Sequence, residues 1–282
     1  MTNTTSSSSS LILYDIGHKP PVTETCFAPN PWKSRFALNF KSIPYTTTWV
    51  RMPDISKVRQ ELGQPAGRKF ADGQDFFTLP ILQDLARGAT LSDSFDIAVY
   101  LQRAYPDAGA GNLFPEQKLD FAFVPPHEIM VPLSERDDGG FSEYYRFNYT
   151  VDAAFSTHVP LMTQGLPLDP ATAEETKAEF VRRAAGAGVK SWDEFILKGE
   201  AREKVLESFK KMLGDLAELF VENSDGPFLL GKKANYADFI VGGWLRMSYV
   251  NLPKEEWEAV TSWHDGVFGQ LWNALQAYTE VK

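Results

Sequence analysis

The hydrophobic pattern of this chain changes character once, and that change limits the fold more than any single residue does. From Leu11 to Pro106, short apolar or β-branched runs alternate with stretches whose apolar residues recur at three- and four-residue steps. LILYDI (Leu11–Ile16), IPYTTTWV (Ile43–Val50) and FFTLPILQD (Phe76–Asp84) read as strands, the third with a proline set inside it. KSRFALNFKS (Lys33–Ser42), DISKVRQELG (Asp54–Gly63) and SDSFDIAVYLQRAYP (Ser92–Pro106) read as the helices between and after them. This alternation predicts an α/β unit over residues 11–106. The Gly/Pro/Asn-rich stretch 107–117 reads as a linker, and beyond it helical periods dominate. REKVLESFKKMLGDLAELFVEN (Arg202–Asn223), NYADFIVGGWLRMSYV (Asn235–Val250) and a terminal segment near Gly266–Thr279 are the clearest of them. An all-helical domain is therefore expected over 118–282, with no internal repeat. The opening MTNTTSSSSS reads as a disordered tail, 1–10.

At 282 residues, 43% hydrophobic and 13% aromatic, the chain can fill a substantial core. A net charge of −9 argues against a nucleic acid or an anionic membrane as partner, because both select for clustered Lys and Arg. Cys26 is the sole cysteine, which excludes an intrachain disulfide and a thiolate metal cluster and suits a reducing, cytoplasmic setting. The acceptor patterns at Asn3 and Asn148 carry no weight without a secretory signal, and Leu11–Tyr14 is too short to be one.

Other chemistries find no support. There is no G-x-S-x-G elbow and no phosphate-binding Walker loop, and AGAGNLF (Ala108–Phe114) follows a helix rather than a strand. His18, His127, His158 and His264 lack ligand spacing, and HEIM (His127–Met130) lacks the second histidine of a zinc protease, so no metal site is expected.

Three short stretches carry information. Asn30-Pro31 reads as a helix cap followed by a proline at the first helical position, and a helix start also favours a thiolate or carboxylate placed against it. Leu79-Pro80 lies within a strand pattern, where a cis bond would leave the Leu79 backbone free to pair with an extended peptide. Asp93-Ser94 heads a helix: both residues can be caps, or Ser94 can hold a carboxylate while Asp93 takes an ammonium group.

Taken in order, NPWKSRFALNFKSIPY, TLPIL, LSDSFDIAVYL and LLGKKANYADF resemble the glutathione transferase superfamily over most of the chain. The opening and the NPWKSRFALNFK turn are similar to its fungal FuA class, which is related to bacterial lignin β-etherases. The resemblance implies a thioredoxin-like α/β N-terminal domain, an all-α C-terminal domain, glutathione as ligand and a homodimer. It implies that Leu79 beside cis-Pro80 pairs with the cysteinyl part of glutathione and that Asp93 and Ser94 hold its γ-glutamyl end. Lys69, in the basic GRKF, would meet the glycine carboxylate. Asn235 and Asp238 match a capping box that serves folding.

Aligned on Trp32 and Arg35, the position that carries Ser or Cys in related classes falls on Ala28, which has no donor. Asn30 remains as the candidate catalytic group, helped by backbone N–H groups near Pro31–Lys33; Cys26 reads as a buried small residue, and Ser34 sits too far into the helix. In the aromatic run FSEYYRFNYTVDAAFSTH (Phe141–His158), Tyr144, Tyr145, Phe147 and Tyr149 cannot share one helix face, so some are candidates for binding small aromatic or phenolic ligands, with packing as the alternative. The expectation is a glutathione-binding protein that also binds aromatic compounds and has modest conjugating or deglutathionylating activity. An efficient β-aryl etherase or isomerase, and a non-catalytic regulatory protein, are the alternatives.

Overall fold

The computed structural model describes residues 10–70, 72–126, 129, 133, 137–222 and 225–282; of the expected tail only Ser10 is among them, and His127 lies outside them. β1 (Leu11–Ile16) buries Leu11, Leu13 and Asp15 on one face, the two-residue period of a strand covered more deeply on one side. It pairs in parallel with β2 (Tyr45–Val50), Leu11 opposite Tyr45, and antiparallel with β5 (Ile81–Asp84), Leu13 opposite Leu82. β6 (Ala89–Ser92) lies against β5, giving the order β2-β1-β5-β6. The parallel crossover from β1 to β2 runs through a single turn, α1 (Val22–Thr25), and the longer α2 (Pro29–Phe40). α3 (Ile55–Glu61) follows β2, a two-stranded ribbon of β3 (Arg68–Lys69) and β4 (Asp75–Phe76) follows α3, and α4 (Ser94–Ala104) leaves β6.

The expected third strand is thus two short ones with Leu79-Pro80 between them. Proline has no N–H to give to a ladder, so β5 starts only at Ile81. The half-polar β6, ATLS, falls within and just before the stretch read as the start of a helix, and α4 begins two residues later than expected.

Both faces of the sheet are covered. Leu11, Leu13 and Leu82 join Phe36 and Ala37 of α2 and Ile97 and Leu101 of α4 in the main core, while Val50, Leu79 and Ile81 meet Ile55 of α3 on the other side. Each such side chain contributes roughly 1.5–3 kcal/mol relative to exposure, so burial on two faces holds α2 and α3 firmly beside the ends of the strands.

The longer regular elements beyond α4 are helices: α5 (Ser142–His158), α6 (Pro160–Thr163), α7 (Ala173–Ala184), α8 (Gly199–Val221), α9 (Tyr236–Asn251) and α10 (Lys254–Leu275). α9 is buried along nearly its whole length. Its capping box forms as expected, with Asn235 Oδ1 accepting from the Ala237 N–H at 2.9 Å and Asp238 Oδ2 accepting from the Asn235 N–H at 2.8 Å. The terminal helix is longer than its sequence pattern indicated. It starts at Lys254 and is broken at Trp263–Gly266, where His264, Asp265 and Gly266 take left-handed backbone angles.

α9 crosses the start of α2 so closely that a Cβ on Gly243 would lie 2.6 Å from the Pro29 carbonyl oxygen. Beside this crossing, Lys33 Nζ lies 2.5 Å from Asp152 Oδ1 of α5, and Trp244 Nε1 of α9 donates to the same oxygen at 2.7 Å. Among the described residues no helix is long and apolar enough to cross a membrane.

Candidate active site

The site is built around the start of α2, and the loop before that helix is pinned from two sides. Trp32 Nε1 donates to the Cys26 carbonyl at 2.8 Å; Arg246 of α9 donates to the same carbonyl at 3.0 Å and to that of Glu24 at 2.6 Å. The Arg246 guanidinium also lies 4.6 Å from the Trp32 ring centroid, a cation–π contact that orders both side chains. Cys26 is fully buried under this lock, and burial pushes its thiol up to about 11. It is the inert small residue expected rather than a thiolate.

The helix begins two residues earlier than Asn30-Pro31 implied. Ala28 is the cap, without a side-chain hydrogen bond, and Asn30 lies in the first turn between Pro29 and Pro31. The two prolines remove two of the N–H groups that a helix start normally offers, and the Trp32 N–H is used on the Ala28 carbonyl at 3.2 Å. The row of free backbone donors expected near Pro31–Lys33 is therefore reduced to the Asn30 N–H. The Asn30 side chain takes on greater weight, since its Oδ1 is buried and has no hydrogen-bond partner among the described residues. An amide exchanges Oδ1 and Nδ2 by a half-turn without changing shape, so this one group can present either an acceptor or a donor.

Two hollows adjoin Asn30. The first is a polar cleft where Asp93, Ser94, Arg68, Tyr145, Tyr149 and Asp152 converge. Asp93 caps α4 by accepting from the Phe95 N–H at 2.9 Å, at φ 108°, and Ser94 is buried in the first turn of that helix. The Leu79-Pro80 bond is cis, and both residues are buried between the ribbon and β5. The second hollow is a mostly apolar cavity of about 220 Å³. Ala28 and Pro31 of the α2 start, Leu79, Phe180 of α7, Phe195 and Met247 of α9 are among its walls. Asn30 and Arg68 border both.

Several expected site residues lie elsewhere. Tyr144 and Phe147 are core residues of α5: the Tyr144 hydroxyl donates to the Pro115 carbonyl at 2.7 Å, and Phe147 is fully buried against Phe121. Tyr145 and Tyr149 do face a hollow, but it is the polar cleft, and none of the four borders the apolar cavity. Lys69 bonds Asp75 across the ribbon and is exposed, whereas its neighbour Arg68 faces the site, because successive residues of a strand point to opposite sides. Arg68 was hidden in the same GRKF. Phe180 and Arg183 of α7 also border the cavity; their three-residue spacing on an amphipathic helix was the one signal that could have paired them.

Comparison with known proteins agrees with this geometry. Residues 27–104 match the family described as glutathione S-transferase, N-terminal domain, and residues 147–278 match glutathione S-transferase, C-terminal domain. The glutathione S-transferase-like protein ustS of Aspergillus flavus is 28% identical over 287 residues, covering 96% of this chain and 92% of that protein. A glutathione S-transferase of Ceriporiopsis subvermispora, solved in complex with glutathione, is 28% identical with a TM-score of 0.77, covering 96% of this chain and 98% of that one. Glutathione transferase GSTFuA3 of Phanerochaete chrysosporium is 27% identical with a TM-score of 0.76, over the same shares of both chains. With the two matched regions making up most of its length, and its thioredoxin-like sheet and helical second half laid out as in these structures, the chain belongs to the glutathione S-transferase family.

Proposed function

We propose that this protein binds glutathione in the polar cleft, with the sulfur at Asn30, and binds a flat apolar compound in the adjoining cavity. The observation that carries the reading is the Oδ1 of the half-buried Asn30, itself buried and without a hydrogen-bond partner among the described residues, at the boundary of the two hollows. A buried amide oxygen without a partner is costly; a thiol placed there donates to it, and a thiolate is met when the amide turns its Nδ2 to that position.

The residues present fit the tripeptide. Asp93 is the carboxylate for its ammonium group, while Ser94 and the start of α4 are suited to its α-carboxylate. The backbone of Leu79, beside Pro80, pairs with the cysteinyl unit, and Arg68 rather than Lys69 supplies a cation for a second carboxylate. Asp152 stays with Lys33 and Trp244, so it shapes the cleft without adding an unpaired charge.

When bound, glutathione supplies the thiol nucleophile. The chain's part is to hold that sulfur and favour its ionised form through the Asn30 amide and the single free N–H of the α2 start. No imidazole borders either hollow among the described residues, so the thiol proton leaves through solvent. One hydrogen bond to a charged group is worth about 1.5–3 kcal/mol, roughly tenfold or more in thiolate population, which fits modest conjugation or deglutathionylation. The cavity walls receive the aromatic partner. A homodimer in the cytoplasm completes the reading, on family resemblance.

Isothermal titration of glutathione into the parent and Ser94→Ala tests the binding site. Affinity should fall sharply in the variant; equal affinity removes Ser94 from the site, and no binding to the parent refutes the reading.

A further inference from the structure

One cation in the apolar cavity is out of keeping with its surroundings. Arg183, on α7, is only 9% exposed, and its guanidinium lies 4.8 Å from the Phe76 ring centroid. Its Nε donates to Glu179 Oε1 at 2.8 Å, but Glu179 is shared, since Arg182 donates to the same carboxylate through Nε and Nη2 at 2.7 and 2.8 Å. One carboxylate therefore serves two guanidiniums. Other acids near this end of the cavity are occupied: Asp75 accepts from Lys69, and Asp54 and Glu175 accept from Arg51. Among the described residues, Arg183 Nη1 and Nη2 have no acceptor. Burial lowers the proton affinity of Arg183, and the charges of Arg182 and Arg68 push it further down, against the pull of Glu179.

A largely buried cation whose two terminal nitrogens are left without a protein acceptor gains when an anion meets it. Both terminal nitrogens lie in the plane of the guanidinium, so the matching anion is planar and takes two parallel hydrogen bonds, as a carboxylate does. Arg183 stands where the apolar cavity, with Phe180 of the same helix face, Phe195 and Leu166 among its walls, meets a polar hollow bordered by Asp75, Glu179 and Arg182.

We infer that Arg183 recognises a carboxylate on the compound that enters this cavity, so that the second ligand is an aromatic acid rather than a neutral arene. The inference deepens the two-hollow reading above and rests on it only for the place of the cavity beside glutathione. Its competitor is that Arg183 meets a carboxylate of glutathione itself.

Calorimetric titrations of 2-naphthoate, 2-naphthamide and glutathione into the parent, Arg183→Met and Arg183→Lys decide between them. The parent should bind 2-naphthoate roughly tenfold or more tightly than 2-naphthamide, the scale of one charge-assisted contact. Arg183→Met should erase that preference while 2-naphthamide and glutathione affinities hold, and Arg183→Lys should keep part of it. A parent that binds neither probe, or both equally, overturns the inference. So does a preference that survives in Arg183→Met, or a loss that falls on glutathione instead. Should circular dichroism show Arg183→Met unfolded, an undiminished preference in Arg183→Lys overturns it alone. If the parent prefers 2-naphthoate but binds no glutathione, the glutathione reading fails and this one stands.

Discussion

Lys33 of α2 and Asp152 of α5 form a buried ion pair, Nζ to Oδ1 2.5 Å, that ties the sheet-bearing half of the chain to the helical half beneath the polar cleft. Asn148 Oδ1 accepts from the same ammonium at 2.9 Å, and Trp244 closes the network from α9. Desolvating two charges offsets much of their attraction, so the pair adds little net stability, whereas an orphaned partner is heavily penalised. Lys33→Met or Asp152→Leu alone should cost about 3–5 kcal/mol in urea unfolding, and the double variant should recover most of that. Single variants that lose less than about 1 kcal/mol would mark the pair as no better than a surface one.

The close crossing of α9 over α2 makes Gly243 a positional residue for the site. Gly243→Ala puts a methyl against the rigid Pro29 carbonyl and should shift the start of α2, costing about 1–3 kcal/mol and weakening glutathione binding. Gly242→Ala meets the flexible end of Leu275 first, so the change in glutathione affinity should be smaller. Equal effects from the two substitutions would contradict this.

Ala28 borders the cavity and caps α2 without a side-chain bond. In Ala28→Ser the hydroxyl can accept from the Asn30 N–H and donate to the sulfur, since it carries one donor and two lone pairs. Stability should rise by about 1 kcal/mol, the worth of a cap. Turnover on an aryl halide should rise in kcat, with its pH profile moved to lower pH, because a donor to the thiolate acts on the reactive form. An unchanged kcat and profile would show that residue 28 does not reach the sulfur.

His18 stacks on Phe27, ring centroids 4.2 Å apart, with Nε2 buried and unpartnered, and burial lowers its pKa to about 4 from the ordinary 6.5. The unfolded chain then binds the proton more readily, so this group's contribution is fully present above pH 6.5 and is lost as pH falls toward 4, on the order of 3 kcal/mol. Asp238 acts in the opposite sense, because burial pushes its carboxyl up to about 7 and its contribution declines as pH rises to that value. The two trends oppose each other in the parent, so the informative quantity is a difference. His18→Phe should keep the ring stack and gain on the parent steadily from pH 6.5 to 4 in denaturant unfolding. A difference that does not vary with pH would contradict the burial account.

The strand–helix order and the α9 capping box were legible because each is written locally, in period or in cap chemistry, whereas the meeting of Asn30, Asp93 and Ser94 at one hollow followed only from the family resemblance. The start of α2 was misread by two residues because an asparagine before a proline reads as a cap, and only packing against Gly243 and Arg246 selects Ala28 as the cap. Tyr144 and Phe147 could not be told from Tyr145 and Tyr149 by type; which of them faces the core depends on the angle at which α5 meets α4 and α9. Arg183 was invisible for a similar reason, since nothing local says that α7 packs over Met52 and Phe76.

The central claim is that Asn30 holds and activates the glutathione sulfur. Ultraviolet titration of the thiolate, with glutathione bound to the parent and to Asn30→Ala, tests it most directly. Because Asn30 is not the cap, melting temperatures of the two proteins should agree closely. The account predicts a thiol pKa below that of free glutathione in the parent, rising toward the free value in Asn30→Ala. A bound thiol that titrates like free glutathione in the parent, or identically in both proteins, would contradict it.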